Sequence, residues 1–203
     1  ELAPAPGTVL VLTRFGGTSC VLVGHDRLDP RPPDPSSLRL VRRAARLAAE
    51  LDLPLVTIID TDGAELSATA EEQGTAHGIA QCLAVLADLP VPRVSVLLGL
   101  GTGGAALALL PADRVIAARH AWIAPLPPEG ASAVLHGTTD RAAELAAAQR
   151  IRASDLTGLV DVLVDDGDAG LPAEMAREIG RQLRIAATPA DARRPARWRR
   201  PTR

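Results

Sequence analysis

The most chemically suggestive stretch is Gly99-Leu100-Gly101-Thr102-Gly103-Gly104, although none of its side chains is reactive. It follows the apolar run Arg93–Leu98, a predicted buried strand. It precedes Ala105–Leu110, a short helix ended by Pro111. A glycine-rich turn entering a helix leaves backbone N–H groups without partners at the positive end of the helix dipole. Such donors stabilise a developing oxyanion or enolate without a catalytic side chain. The same letters fit G-x-G-x-x-G, the dinucleotide fingerprint. Against that reading, the helix is short for a crossover helix, and the next strand leads to Arg119 and His120, with no acid for a ribose hydroxyl. Two strand–helix units also precede the turn, whereas the fingerprint usually opens its domain. A third reading is that the glycines only allow a helix to pack closely on a sheet.

Few other residues compete. His25, His77, His120 and His136 are scattered without ligand spacing and read as surface or packing histidines. Asp60 and Glu129 are candidate acids for orienting loops beside the turn. There is no G-x-S-x-G elbow for a serine hydrolase. Cys20 and Cys82 are two unpatterned thiols, too few for a disulfide framework or a self-contained zinc site. No metal is expected.

Strands are predicted over 9–12, 19–23, 53–59, 93–98, 114–117, 121–123 and 160–164. Helices are predicted over 36–50, 69–88, 105–110, 130–136, 140–149, 154–158 and 172–187. Ser36-Ser37 is the predicted cap of the first helix, where Leu38, Val41, Ala45 and Ala48 share a face. Thr69-Ala70-Glu71-Glu72 reads as a capping box for the second. The alternation of strands and helices makes the class α/β, with parallel strands whose turns gather at their C-terminal ends. Residues 1–7 read as a frayed leader or a cut from something longer. Residues 1–188 are taken as one domain and 189–203 as an Arg/Pro-rich disordered tail.

Hydrophobic content of 47% with 23% charged residues marks a globular chain. The three aromatics, Phe15, Trp122 and Trp198, are too few for a single-strand stacking platform. Every cation is Arg. Six of them follow Pro189, so the preceding body carries 16 Arg against 23 acids. The tail's charge reads as solvated, and nucleic acid is not an expected partner. No run approaches the roughly 18 apolar residues of a membrane span. With no recognisable signal peptide, a cytoplasmic location is the expectation.

Several segments together resemble a known family. Ile59-Asp60-Thr61-Asp62-Gly63-Ala64, followed by Ala70-Glu71-Glu72-Gln73-Gly74, is similar to the IDTPGA…AEERG stretch of bacterial acetyl-CoA carboxylase carboxyltransferase α subunits. Gly99–Ala108 resembles their GEGGSGGALA turn, and Pro127–Leu135 their SPEG-x-ASIL segment. Ala143–Ile151 and Leu156–Val164 resemble the closing helix and strand. Order and spacing agree over roughly residues 14–166. The wording at 109–115 and 125–132 is closest to actinobacterial forms that fuse β and α halves.

The resemblance implies a crotonase/ClpP-like spiral of repeated ββα units. It implies the α half of a biotin-dependent acyl-CoA carboxyltransferase, moving CO2 from carboxybiotin to acetyl-CoA to give malonyl-CoA. Two backbone oxyanion holes would face each other across a β/α interface, one for the thioester enolate and one for the ureido oxygen of biotin. The second maps to the amides of Gly104 and Ala105. Gly101, Thr102, Gly103, Gly63, Ala64, Pro128, Glu129 and Gly130 are the matching substrate-binding positions. Implied partners are acetyl-CoA and malonyl-CoA, a carboxyltransferase β half, a biotin carboxyl carrier protein bearing the biotin, and a homo- or hetero-oligomer. The β subunit's four-cysteine zinc ribbon does not occur. Ala105 replaces a glycine of the pattern, Asp62 a proline and Leu100 a polar residue. Two alternatives stay open: a stand-alone crotonase-superfamily acyl-CoA decarboxylase or hydratase, and a non-catalytic scaffolding α-like subunit.

Overall fold

The computed structural model describes residues 5–165 and 170–187. The expected tail, 189–203, lies outside the described residues. The leader reading fails for its last part. Ala5 is buried and bridges to Thr8, the Pro6 carbonyl accepts the Ser37 hydroxyl, and the Gly7 carbonyl accepts the Asp26 N–H at 2.9 Å.

Strands β1 (Thr8–Phe15) and β2 (Thr18–His25) form an antiparallel hairpin. Gly16 and Gly17 both have positive φ, which a two-residue hairpin turn matched to strand twist requires. This pairing makes both strands longer than their apolar runs. The strands β3 (Leu55–Thr61), β4 (Arg93–Thr102), β5 (Arg114–Ala118) and β7 (Val162–Val164) continue the sheet in parallel, in the order β1-β2-β3-β4-β5-β7. The short β6 (Trp122–Ala124) leaves that path and pairs with the last three residues of β4. The order ββα occurs at β1–β2–α1 and again at β5–β6–α5.

Helix α1 (Pro35–Glu50) starts one step earlier than Ser36 suggests. Asp34 is its N-cap, accepting the Ser36 and Ser37 N–H groups at 2.7 and 3.0 Å, and Pro35 fills the first position, where no N–H is needed. The expected helix over 69–88 is two helices, α2 (Ala68–Glu72) and α3 (Thr75–Asp88). Gly74, at φ +86°, breaks it, and the α2 cap is Ser67, whose hydroxyl accepts the Ala70 N–H. After β4 come α4 (Gly103–Ala108), α5 (Pro128–His136), α6 (Ala142–Gln149) and α7 (Leu171–Ala186). The helix expected over 154–158 is a single 3-10 turn, Ala153–Asp155.

The core joins the apolar face of α1 to the sheet interior, with Val21, Val23, Leu55, Ile59, Val94, Val96, Val115 and Ile116 all buried. Helices α1, α3 and α4 pack together, while α7 lies on β4, β5, β7 and the hairpin. Gly180 allows that last approach, since a Cβ there would sit 3.1 Å from the Gly16 nitrogen.

Candidate functional site

Strand β4 runs three residues past its apolar core because β6 pairs with Leu100, Gly101 and Thr102. Gly101 permits that pairing. A Cβ there would lie 2.8 Å from the Trp122 carbonyl oxygen and 2.9 Å from the Ile123 side chain. The turn is therefore later and tighter than the sequence suggests. Thr102 is the N-cap of α4, Gly103 (φ +67°) makes the bend, and Gly104 and Ala105 complete the first helical residues. The Thr102 side chain makes no capping bond, so nothing from the cap competes for the first-turn amides. Gly103 and Gly104 are half-buried. The Ala105 methyl lies in the interior, with the residue 1% exposed, so this departure from glycine places no bulk over the turn.

Two loops flank the turn. Thr61 pairs in register with Gly101, and its buried hydroxyl accepts the Gly63 N–H at 3.1 Å, closing the loop after β3. Gly63 (φ +127°) then lies against Thr102, where an added Cβ would be 3.5 Å from its methyl. On the other side, the Pro125 carbonyl oxygen would be 3.5 Å from a Cβ on Gly103. The structure thus gathers Gly63, Gly101, Thr102, Gly103, Gly104 and Ala105, with Ala64 half-buried one residue along the loop. Pro128, Glu129 and Gly130 begin α5, three residues beyond β6.

Asp60 orients this region. Its Oδ1 accepts the Leu100 N–H at 3.0 Å, and Gly99 leaves room for the carboxylate, which a Cβ would approach to 2.6 Å. Glu129, expected in a similar role, is exposed in the first turn of α5. Asp62 is paired with Arg27 at 2.9 Å on the surface, tying the loop after β3 to the loop after β2. Among the described residues no group of three or more His, Cys, Asp or Glu is arranged to hold a metal.

Sequence reasoning treated His25 only as a packing residue, and it is buried beside the site. It lines a cavity of about 460 Å³ with Arg27, Asp29, Asp60, Thr61 and Gly63. Its Nδ1 accepts the Asp60 N–H at 3.2 Å, so the ring is neutral with its proton on Nε2. Burial pushes its pKa down to about 4. With the unfolded value near 6.5, the unfolded chain binds the extra proton first, so stability falls as pH drops through that window. The loss reaches about 3 kcal/mol by pH 4. Urea unfolding at pH 7 and pH 4.5 measures it, and His25→Gln is expected to remove this component of the slope. An unchanged slope would refute the assignment.

A second cavity, of about 530 Å³, lies between the upper part of β4 and α7. Gly103, Gly104 and Ala105 line neither cavity; they face outward on a side that this chain leaves without an opposing wall. A dinucleotide site has no support here, because α4 is only six residues long.

Comparison with known proteins adds the family context. Residues 7–186 match the family described as acetyl co-enzyme A carboxylase carboxyltransferase-like. A probable biotin-dependent acyl-coenzyme A carboxylase beta3 subunit from Mycobacterium tuberculosis is 54% identical over 167 residues, covering 80% of this chain and 34% of that protein. The acetyl-coenzyme A carboxylase carboxyl transferase subunits beta/alpha of Saccharopolyspora erythraea are 37% identical over 195 residues, covering 89% of this chain and 34% of that protein. The chain therefore spans about a third of the length of these relatives. Among solved structures, the transcarboxylase 12S hexamer superposes with a TM-score of 0.76 at 24% identity, covering 97% of this chain and 38% of that one. The mixed α/β fold with its parallel sheet is that of the crotonase-fold carboxyltransferases.

Proposed function

The chain belongs to the acetyl co-enzyme A carboxylase carboxyltransferase-like family, and from that premise we propose that it is the α-type half of a biotin-dependent acyl-CoA carboxyltransferase acting on acetyl-CoA. The observation that carries this reading is the bare first turn of α4. Two adjacent residues without side chains, Gly103 and Gly104, stand at the end of β4 with uncapped amides.

The turn fits biotin's ureido oxygen in kind. It offers backbone donors and no side chain that would block an approaching oxygen, and the one methyl present, on Ala105, is buried. Biotin, delivered on a carrier protein, supplies the activated carboxyl group. The Gly104 and Ala105 N–H groups would hold the ureido oxygen and stabilise the negative charge that grows on it as the carboxyl departs. Asp60, through the Leu100 amide, keeps the strand end from shifting, so those donors need no reorganisation. The acyl-CoA enolate would be held by a partner half of β type.

Two further features support a half-site. The turn faces outward with no opposing wall. Beside it, the α5–α6 hairpin leaves Leu126, Val134 and Leu135 between 53% and 78% exposed, and α6 buries none of its residues. An apolar arm of this kind is what a partner half would cover. No helix among the described residues is long and apolar enough to cross a membrane. With Cys20 and Cys82 both buried free thiols, a cytoplasmic location is part of the proposal.

The test is carboxyl transfer from malonyl-CoA to a free biotin derivative, by this chain with and without a matching β half. Turnover is expected only in the mixture. Turnover by the lone chain would replace this reading with a self-sufficient acyl-CoA enzyme, and an inactive but assembled mixture would replace it with a scaffold.

A further inference from the structure

The cleft between β4 and α7 is not used by the chemistry above, and its lining has a definite character. Leu98 and Leu100 stand two apart on β4 and so project from the same face of the strand. Opposite them, Leu171, Met175 and Ile179 recur every four residues on α7, a row about 12 Å long at 1.5 Å per residue. Phe15 of the hairpin closes one end. The result is two facing apolar rows around about 530 Å³, a volume typical of ligand pockets.

The polar groups at the cleft do not invite a polar occupant. Asp60 is committed to the Leu100 N–H and Arg27 to Asp62. His120 sits exposed at the end of β5. A narrow slot between two rows suits a flexible hydrocarbon chain better than a flat ring, and Met175 offers the adaptable surface such a chain needs.

We propose that this cleft binds the apolar chain of a medium-length acyl-CoA, so that the substrates of this chain's complex extend beyond acetyl-CoA. The inference rests on the acyl-CoA carboxyltransferase reading for the identity of the chain's carrier. Leu100 links the two sites. It lines the cleft, and Gly103 follows three residues later, about 10 Å along the strand. A polar residue at position 100, as in the family pattern, would put an unpaired group among leucines and oppose the chain.

Calorimetric titration of the 203-residue chain with butyryl-CoA, decanoyl-CoA, CoA and free decanoate tests this. Decanoyl-CoA is expected to bind at least tenfold more tightly than butyryl-CoA. Ala176→Phe, which fills the slot without burying a charge, and Leu100→Glu are each expected to erase that ratio. Thermal unfolding identifies any variant that fails to fold, and the ratio is then read from the other. Equal affinities for the two thioesters in the parent chain overturn the proposal, as does a ratio that survives both folded variants. Free decanoate binding as tightly as decanoyl-CoA keeps the apolar slot but overturns the acyl-CoA assignment. The ratio is read without turnover, so the two readings fail separately. A tenfold ratio beside an inactive mixture with the β half removes the carboxyltransferase reading alone, and an active mixture with a flat ratio removes the cleft alone.

Discussion

Replacing Asp113 by alanine is expected to lower the free energy of unfolding by about 3–5 kcal/mol, the usual cost of stranding a buried charge. Arg93 opens β4 and is 2% exposed; Asp113, just before β5, is 4% exposed. The carboxylate accepts the Arg93 Nη2 at 2.7 Å and the Arg93 backbone N–H at 2.8 Å, while the Arg93 carbonyl accepts the Asp113 N–H at 3.1 Å. The other end of the guanidinium donates to the Leu86 carbonyl in α3. One pair thus ties the end of α3 and the starts of β4 and β5 into a single corner. Alanine would leave a guanidinium in the interior with its charge uncompensated, and a backbone N–H without its acceptor. The double variant Arg93→Leu with Asp113→Ala removes the charge as well and is expected to recover more than half of the loss. Urea unfolding of the parent, the two single variants and the double variant measures the coupling. A single-variant cost below about 1 kcal/mol would mean that the corner is held by the surrounding packing instead.

The features legible in the sequence were those with local causes. The buried strands β3, β4 and β5, the apolar face of α1, and the strand–turn–helix around Gly103 follow from short-range pattern. What pattern could not give is where an element ends when its end depends on a distant partner. β4 reads as finishing at Leu98 because its apolar run does. It continues to Thr102 because β6, some twenty residues later, supplies hydrogen-bond partners to a stretch of glycine and threonine. The break at Gly74 was missed for a different reason. The apolar period passes through it, and only the left-handed backbone at that glycine distinguishes two helices from one. Asp34 outcompetes Ser36 as the cap because its carboxylate reaches two amides and Pro35 has already fixed the first helical φ.

The site divides the same way. Asp60 was named as an orienting acid from its place in a turn cluster, and the hydrogen bond to Leu100, forty residues away, is what gives that guess a mechanism. The resemblance led to Gly104 and Ala105, but not to Ile79, which stands behind Gly104 on α3, nor to the burial of the Ala105 methyl. His25 and the α7 cleft are products of long-range packing, and nothing in their local sequence marks them. Leu100 is the instructive case. As a departure from a family pattern it reads as damage to the turn, whereas in the fold it is the wall of a different pocket.

Gly104→Val is expected to reduce carboxyl transfer in the assembled enzyme about a hundredfold, the range for displacing donors from a reacting oxygen. The direction of the added side chain decides how. A Cβ on Gly104 would lie 2.5 Å from Ile79 Cδ1, so the new bulk drives into α3 and pushes α4 away, carrying the Gly104 and Ala105 amides with it. Overpacking of this kind also costs about 1–3 kcal/mol of stability. The explanation is specific enough to be reversed. Ile79→Val deletes the methyl that clashes, and the next contact, Cγ1 at 3.4 Å, is ordinary van der Waals contact. Gly104→Ala in the Ile79→Val background is therefore expected to recover both the unfolding midpoint and the transfer rate to within a fewfold of the parent. If stability returns and the rate does not, the Cβ itself obstructs the reactants, and they approach from the α3 side. If Gly104→Val leaves the rate unchanged in a folded, assembled enzyme, the first-turn amides of α4 are not where the anion is held, and the assignment of the biotin site to this chain falls with them.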